Sequence, residues 1–355
     1  MQAYRGRNFV TGSGQRAYIG SFTSAGGAGI TVAAVDPADG SLTVTGRTDA
    51  VPDPSFLALS QDGGVLYAVS EQEEHGQAAA FSLRDPDAPA LLAPAVRVGG
   101  GAPTHLCLYD GHLITANYAG GSVSVLSLDP EQAPAALRHV LRHEGDGPHP
   151  ERQEGPHAHA VTPDPRGRTL LTVDLGTDSV RVCALDPATG ELRVRRQTAL
   201  RPGSGPRHLT FHPAGHHAYV VEELGAGITV AAWDGETREL RPTGHTQPLG
   251  EPGTDHPSEI VLAPDGRFAW VAVRGRDEIA VLAVSPDGGR LELTGRTGCG
   301  GSWPRHLTLD PAGRRLYAAN ERSGEVTWFD LDPATGTPHR SGTLPVAAAS
   351  CVVFR

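Results

Sequence analysis

Short apolar runs in this chain alternate with Pro/Asp/Gly turns, and the same unit recurs along most of its length. The clearest pair is GPHAHAVTPDPRGRTLLTVD, residues 155–174, and GPRHLTFHPAGHHAYVVEEL, residues 205–224. Each unit holds Gly-Pro, one or two cationic or imidazole side chains, an apolar run, a turn, a second apolar run and a polar end. A unit repeated about every 50 residues indicates a repeat architecture, so the chain is interpreted as a set of similar β-hairpins.

The copies of each run can be counted. The second apolar run occurs seven times, starting at Ala17, Leu66, Leu113, Leu170, Ala218, Ala269 and Leu316. The first run precedes it six times, near Ser55, Thr104, His157, Arg207, Ser258 and Arg305, and a seventh first run at residues 350–354 has no second run after it. Pairing residues 351–354 with residues 17–21 would complete one blade and remove its open edge. The sequence therefore predicts an all-β, seven-bladed β-propeller closed by its N- and C-terminal strands, with strands of three to six residues and one domain spanning residues 1–355.

Composition agrees with many short strands joined by turns. The chain has 45 Gly and 29 Pro, and in its PDG and PAG segments we expect glycine to adopt the positive φ of a tight turn. One position of the second run is aromatic in five copies, where packing between blades is expected: Tyr18, Tyr67, Tyr219, Trp270 and Tyr317. Four cysteines lie in separate repeats without CxxC spacing, which indicates buried reduced thiols: Cys107, Cys183, Cys299 and Cys351.

Charge excludes two classes of partner. The formal net charge is −10 and the pI is about 5.9, whereas nucleic acid and anionic membranes require a basic surface. The N-terminal segment MQAYRGRNFVTGSGQ lacks the apolar core of a secretory signal, and no later segment reaches the ~20 apolar residues of a membrane span. We expect a cytoplasmic protein that binds neither nucleic acid nor membrane, as a monomer or weak homo-oligomer.

The positions that vary between repeats are polar and should meet at one end of the central channel. If the first run is the innermost strand of each blade, its beginning and the end of the second run lie at the same mouth. The first-run positions are Ser55, Thr104, His105, His157, His159, Arg207, His208, Ser258, Glu259, Arg305 and His306, and the second-run ends are Ser70, Glu71, Asn117, Asp174, Glu222, Glu223, Arg274, Asn320 and Glu321. Packing of blades needs no arginine or histidine at these places, so a ligand site is indicated.

The histidines divide into two groups. His105, His208 and His306 share one register before leucine, which favours a structural hydrogen-bonding role. His157 and His159 form His-Ala-His, and strand alternation would place both imidazoles on one face; His159 is the preferred site residue. The same pair could chelate a metal, but a catalytic zinc requires a third fixed ligand, and the preceding Gly/Pro-rich loop suggests none. No metal or other cofactor is expected.

Arginines indicate that the ligand is an anion. Arg207 and Arg305 follow proline in matching PRHL segments, and Arg274 ends a second run. A guanidinium binds carboxylate or phosphate through paired donors, so three of them at one mouth of an acidic protein suggest an anion pocket. Each could also be a surface ion-pair partner.

Taken together, these motifs resemble the lactonase family of seven-bladed propellers, which includes propeller-type 6-phosphogluconolactonases and fungal carboxy-cis,cis-muconate lactonizing enzymes. The resemblance covers nearly the whole chain and implies a site of one His, two Arg and one Glu. It matches these to His159, Arg207, Arg274 and Glu223 as catalytic residues. The chain departs from many relatives in having Glu222 and Val273 where they have Asn. Further substrate contacts are expected from His157, Glu222, Arg305, His306, Glu321 and Asn117.

Three functions remain open from the sequence. The first is hydrolysis of a sugar-acid lactone of the 6-phosphogluconolactone type, with Glu223 as base if Glu222 raises its pKa by like-charge repulsion, or with His159 as base or acid. The second is the cycloisomerase reaction, in which a muconate-type diacid closes to a lactone in the same anion clamp. The third is a non-catalytic propeller that binds peptides on one face. In the first two cases the ligand is a small anionic lactone or carboxylate.

Overall fold

The structure is a computed structural model that describes residues 14–355, and these form seven antiparallel β-sheets arranged as the blades of a β-propeller. Six sheets have four strands and one has five. The predicted fold class is thereby confirmed. The expectation about a secretory signal concerns mainly residues 1–13, which lie outside the described part of the chain.

The strands follow one another in chain order, blade by blade. Blade 1 begins with β1 (Arg16–Ser21), β2 (Ile30–Val35) and β3 (Leu42–Thr48), with a 3-10 turn at Thr23–Ala25. Blade 2 contains β4 (Leu57–Leu59), β5 (Val65–Ser70), β6 (Gln77–Ser82), β7 (Ala90–Leu91) and β8 (Val96–Arg97). Blade 3 contains β9 (Pro103–Tyr109), β10 (His112–Asn117), β11 (Ser122–Leu128) and β12 (Pro134–Arg142). Blade 4 contains β13 (Ala158–Pro163), β14 (Leu170–Asp174), β15 (Ser179–Leu185) and β16 (Leu192–Ala199).

The last three blades repeat the four-strand order. Blade 5 contains β17 (Pro206–Phe211), β18 (His217–Glu222), β19 (Gly227–Asp234) and β20 (Glu239–His245). Blade 6 contains β21 (His256–Leu262), β22 (Phe268–Arg274), β23 (Glu278–Val284) and β24 (Leu291–Gly298). Blade 7 contains β25 (Pro304–Leu309), β26 (Arg315–Asn320), β27 (Glu325–Leu331) and β28 (Pro338–Pro345), and the chain ends in β29 (Ala349–Phe354).

The C-terminal strand completes the first blade. β29 pairs antiparallel with β1, with Phe354 opposite Ala17 and Cys351 opposite Gly20. The innermost strand is β29 in blade 1 and the first strand in each of blades 2 to 7, and each innermost strand contacts those of both neighbouring blades around the ring. The predicted closure is therefore confirmed, and within the described residues every innermost strand is paired with a neighbour in its own blade.

Aromatic side chains join neighbouring blades, as predicted. All five side chains at the repeated aromatic position are at most 2% exposed. Each also donates a hydrogen bond to a backbone carbonyl in an outer turn of the next blade, which buries its polar atom without leaving it unpaired. These bonds are Tyr18 to Pro86, Tyr67 to Gln132, Tyr219 to Gly288, Trp270 to Gly336 and Tyr317 to Gly40, at 2.7 to 3.0 Å.

Three smaller expectations can be compared with the structure. Gly215 and Gly266, in the PAG and PDG turns, have φ of 78° and 74°, as expected. All four cysteines are free, but Cys107 is only half-buried. The predicted strand length of three to six residues is too short for several strands: the inner strands β9 and β21 have seven residues, and the outer strands β16 and β12 have eight and nine. The side chains of the outer strands β12 and β16 are mostly exposed, so the alternation typical of a half-buried strand does not reveal them. Within residues 14–355, helices long and apolar enough to cross a bilayer are absent.

Candidate active site

Three predicted site residues lie at β-bulges in the innermost strands. His159 falls between the paired residues Ala158 and Ala160 of β13. Arg207 lies at the register shift of β17, and Arg305 at that of β25. A bulge places two residues opposite one and turns a side chain out of the regular alternation. The bulges therefore let residues of pleated inner strands point into the channel mouth.

Glu223, the residue after β18, is the centre of an ion-pair cluster. Its Oε2 accepts a hydrogen bond of 2.7 Å from Arg274 Nη2 and lies 3.2 Å from Arg207 Nε. Its Oε1 accepts a bond of 2.8 Å from Arg152 Nη2. Glu223, Arg207 and Arg274 are at most 6% exposed. One buried carboxylate thus faces three guanidinium groups.

Backbone carbonyls of blade 6 hold two of these arginines. Arg207 Nη1 donates to the carbonyl of Ser258 at 2.6 Å, and Arg274 Nε donates to the carbonyl of His256 at 3.1 Å. The Arg274 guanidinium also lies 5.3 Å from the ring centre of Trp303, a cation–π contact. These contacts fix both side chains in advance of any ligand, which reduces the entropic cost of binding an anion.

His159 lies beside this cluster with an unpaired nitrogen. The histidine is 5% exposed, and its Nδ1 has no hydrogen-bond partner among residues 14–355. Burial lowers the pKa of His159 well below its usual value, and the positive charge of Arg207 lowers it further. The imidazole is therefore neutral at pH 7 and able to accept a proton.

Arg207 has the second unpaired atom of the cluster. Its Nε is buried without a hydrogen-bond partner in the described chain, since its N–H does not point at Glu223 despite the short distance. Burial lowers the pKa of Arg207 to about 9, with a further contribution from the Arg274 charge, so the group is cationic at neutral pH. Buried unpaired polar atoms are uncommon in folded proteins, and a catalytic role is one explanation for them.

The expected effect of Glu222 on Glu223 is wrong. Glu222 is the last residue of β18, and its side chain points away from Glu223 to contact Arg201 and His245 at 2.8 and 3.2 Å. Burial alone would raise the pKa of Glu223, but Arg274 and the other two arginines lower it well below its usual value. Glu223 is therefore a firmly ionised carboxylate, and a weak base in this state.

Sequence reasoning missed Arg152 and Tyr118. Arg152 lies in the loop that joins β12 to β13, and it donates hydrogen bonds to the Tyr118 hydroxyl as well as to Glu223. The Tyr118 ring stacks on His157 at 4.4 Å between centroids and meets the edge of His159 at 5.6 Å. The available signal was the length of the loop, because long connections between blades often carry function.

A second charged group lies on the other side of the mouth. Arg305 Nη2 donates to both oxygens of Glu71 at 3.1 and 3.2 Å, and its Nη1 lies 3.4 Å from Glu321 Oε2. Ser55 donates a short hydrogen bond to Glu71, and burial raises the pKa of Glu71. Of the residues predicted to bind substrate, Arg305 and Glu321 therefore meet here, together with Glu71.

Asn117 and His306 are not brought into either group. Asn117 is fully buried inside blade 3, where its amide donates to Ser122 and Ser124. His306 lies one residue further along β25 than Arg305, with Nε2 3.7 Å from Glu259 Oε2 and near Cys351. Burial lowers its pKa to about 4.

His306 belongs instead to a set of histidines that fills the channel below the mouth. His208 Nδ1 lies 2.9 Å from Glu259 Oε1, and the ring of Phe56 contacts the three histidines of this register. Burial lowers the pKa of His105 and His208 well below the usual range. This agrees with the structural role predicted for the register, and the packed rings form the floor of the site.

Metal binding has no support in the arrangement of side chains. His157 Nδ1 lies 3.0 Å from the Tyr118 carbonyl and its Nε2 lies 3.1 Å from Glu154, so both nitrogens are engaged. Across residues 14–355, groups of three or more His, Cys, Asp or Glu side chains placed to hold a metal ion are absent.

Comparison of the whole chain with known proteins shows which family it belongs to. The model of the family "Lactonase, 7-bladed beta-propeller" matches residues 16–354. The 6-phosphogluconolactonase of Bacillus subtilis is 30% identical over 342 residues, which cover 95% of this chain and 97% of the relative. The 6-phosphogluconolactonase of Formosa agariphila is 28% identical over 330 residues, covering 90% and 93% of the two chains. The structure of a periplasmic gluconolactonase from Pseudomonas aeruginosa superposes with a TM-score of 0.89 at 30% identity, covering 96% of this chain and 98% of that one. This chain belongs to the lactonase family of seven-bladed β-propellers.

Proposed function

We propose that this protein hydrolyses a sugar-acid lactone, most closely of the 6-phosphogluconolactone type, at the channel mouth around His159, Arg207, Glu223 and Arg274. The observation that carries the proposal is the pair of buried unpaired atoms, His159 Nδ1 and Arg207 Nε, beside a carboxylate that fixes the arginines. A neutral base and a fixed cationic donor are what lactone hydrolysis requires. The names of the relatives support the same substrate class.

His159 is the proposed base. Its imidazole is neutral at pH 7, because burial lowers its pKa, and its Nδ1 has no hydrogen-bond partner within residues 14–355. Both oxygens of Glu223, by contrast, already accept hydrogen bonds from arginines. His159 takes a proton from water as the water oxygen attacks the lactone carbonyl carbon. The negative charge of Glu223 then stabilises the imidazolium that forms.

The arginines stabilise the negative charge that develops on the carbonyl oxygen. Arg207 and Arg274 are fixed before substrate binds, so they need no reorganisation during the reaction. When the tetrahedral intermediate collapses, the ring C–O bond breaks and His159 returns its proton to the leaving ring oxygen. The product is an open-chain hydroxy acid, and its carboxyl group loses a proton to solvent.

The test is turnover by the purified protein. Acid release from 6-phosphogluconolactone and from glucono-δ-lactone is followed in weak buffer with a pH indicator, after subtraction of spontaneous hydrolysis. A third reaction with a carboxymuconate, followed by ultraviolet absorbance, tests the cycloisomerase alternative. We expect enzymatic acid release that the His159→Ala variant has lost. Absence of acid release from both lactones would overturn the proposal, and absence of all three activities would favour the binding-scaffold alternative.

The remaining expectations stay predictions of the sequence. They are a cytoplasmic location, a monomeric or weakly oligomeric state, and a single domain over the whole chain.

A further inference from the structure

We propose that Arg152 is the residue that selects a phosphorylated substrate: it leaves Glu223 and binds the phosphate group of a sugar-acid lactone. This inference rests on the proposed lactone hydrolysis and names the residue that distinguishes phosphorylated from unphosphorylated lactones. It is carried by the charge balance of the mouth, by the anchoring of its arginines, and by the loop that presents Arg152.

The excess of positive charge lies on the Arg152 side of the mouth. There, three arginines face the single carboxylate of Glu223. On the opposite side Arg305 is matched by two carboxylates, Glu71 and Glu321. A dianionic phosphate is therefore attracted more strongly to the first group than to the second. The carboxylates of the second group are suited to accept hydrogen bonds from sugar hydroxyls.

Arg152 is the most exposed and the least anchored of the three arginines. Its side chain is 35% exposed, whereas those of Arg207 and Arg274 are 3% and 7% exposed. The buried pair is tied to backbone carbonyls, whereas within residues 14–355 the Arg152 guanidinium donates hydrogen bonds only to the side chains of Glu223 and Tyr118. Its guanidinium can exchange these partners for two phosphate oxygens without any change in the backbone.

The residue after Arg152 fixes the loop. Gln153 is fully buried, and its Nε2 donates to the Leu175 carbonyl and to Asp178 Oδ1, both at 2.8 Å. The backbone at Arg152 is thus held while its side chain reaches into the mouth. Since only one side chain must be reordered, the entropic cost of capturing the phosphate is small.

The exchange also links phosphate binding to catalysis. While Arg152 contacts Glu223, it is one of three cations that lower the pKa of this carboxylate. When Arg152 turns to the phosphate, Glu223 keeps its contacts with Arg207 and Arg274, and the negative phosphate enters the mouth. Both changes make protonation of His159 easier, because a positive charge has been neutralised nearby. A phosphorylated lactone should therefore gain in turnover as well as in affinity.

The experiment measures selectivity in Arg152→Met, which keeps a long side chain and removes the charge. The quantity is kcat/KM for 6-phosphogluconolactone divided by kcat/KM for glucono-δ-lactone. Charge-assisted hydrogen bonds of this kind are worth about 10- to 100-fold, so we expect the ratio to fall by that factor. The value for glucono-δ-lactone should fall by a smaller factor, because Arg207 and Arg274 still contact Glu223 when Arg152 is replaced. Arg152→Lys, which retains a point charge, should recover part of the ratio.

The matched control is Arg201→Met. Arg201 is also an exposed arginine paired with a buried glutamate, Glu222, but outside the cluster. Arg201→Met should leave the ratio of the two kcat/KM values unchanged. Equal losses on both lactones in Arg152→Met would overturn the inference, because Arg152 would then act only by holding Glu223.

A binding measurement separates this inference from the proposed function. The affinity for 6-phosphogluconate, which does not react, is measured by calorimetry with the parent protein, Arg152→Met and Arg201→Met. Weaker binding confined to Arg152→Met supports the inference even if neither lactone is hydrolysed. Equal affinity of all three proteins overturns it even if the parent is an active lactonase.

Discussion

Replacing Glu223 with glutamine removes the one negative charge from the centre of the arginine cluster and changes almost nothing else in shape. In the parent, Oε2 accepts from Arg274 at 2.7 Å and lies 3.2 Å from Arg207, while Oε1 accepts from Arg152 at 2.8 Å. The glutamine amide keeps one acceptor oxygen. Its NH₂ group must then face an arginine that had been bonded to a carboxylate, and a donor opposite a donor forces the guanidinium to turn.

The magnitude follows from these contacts. Loss of one fixed donor to an oxyanion typically costs about 10² to 10³ in kcat, and Glu223 orients two such donors. We therefore expect kcat for lactone hydrolysis to fall by at least about 10². Binding of the product anion should be maintained or strengthened, because the arginines remain and the competing carboxylate is gone. Removing one partner of a buried ion pair also costs about 3 to 5 kcal/mol, which corresponds to about 4 to 7 °C in melting temperature for a chain of this size.

The assay pairs turnover with product binding and thermal melting, and Glu222→Gln is the matched control. Glu222 is adjacent, also buried and also ion-paired, but to Arg201 outside the cluster, where it contacts His245 as well. Both variants should lose stability, and only Glu223→Gln should lose turnover. If Glu223→Gln kept kcat within about threefold of the parent, or if Glu222→Gln lost as much, the assignment of Glu223 would be refuted.

Three further outcomes are expected. His159→Ala should lower kcat by about 10² to 10⁴. In the parent protein, kcat/KM should stay constant from about pH 8 down to 6, because the lowered pKa of His159 keeps the imidazole neutral until the pH falls through that pKa. A loss of activity near pH 6.5 would contradict this. Deletion of residues 349–355 removes the innermost strand of blade 1 and should abolish cooperative thermal unfolding followed by circular dichroism, whereas persistence of the parent's melting transition would show that closure is dispensable. Tyr317→Phe removes the buried hydrogen bond to the Gly40 carbonyl and should reduce the free energy of unfolding by about 0.5 to 1.5 kcal/mol in urea titration; an unchanged midpoint would mean that this bond contributes nothing.

The sequence was a good guide to the number of blades and to their closure. Strand alternation and turn chemistry are local, so each hairpin can be recognised from a few residues of sequence. Seven similar hairpins, with one split between the two termini, indicate a closed ring of seven blades. The unpaired first run at the C-terminus predicted β29 beside β1, which is what the structure has. Outer strands such as β16 were harder to find, because their side chains are exposed and their pattern is polar.

Of the candidate site, the sequence predicted His159, Arg207, Glu223 and Arg274, and the structure brings these side chains together. It did not predict that Glu222 points away from Glu223. Neighbouring residues at a strand end point in opposite directions, but the pattern alone does not tell which direction leads to the channel.

What the sequence by itself determined is therefore the fold: hairpin periodicity, turn glycines and the unmatched terminal strands specify a closed propeller. Only the tertiary structure decided the partners of the ionisable groups. Arg152 meets Glu223 across 71 positions of sequence, and Arg305 meets Glu71 across 234. Such contacts are set by the circular arrangement of blades and by bulges in the innermost strands, which no local pattern encodes. Their electrostatic consequences, a neutral histidine and a firmly ionised glutamate, depend on burial and on charges that neighbouring blades supply.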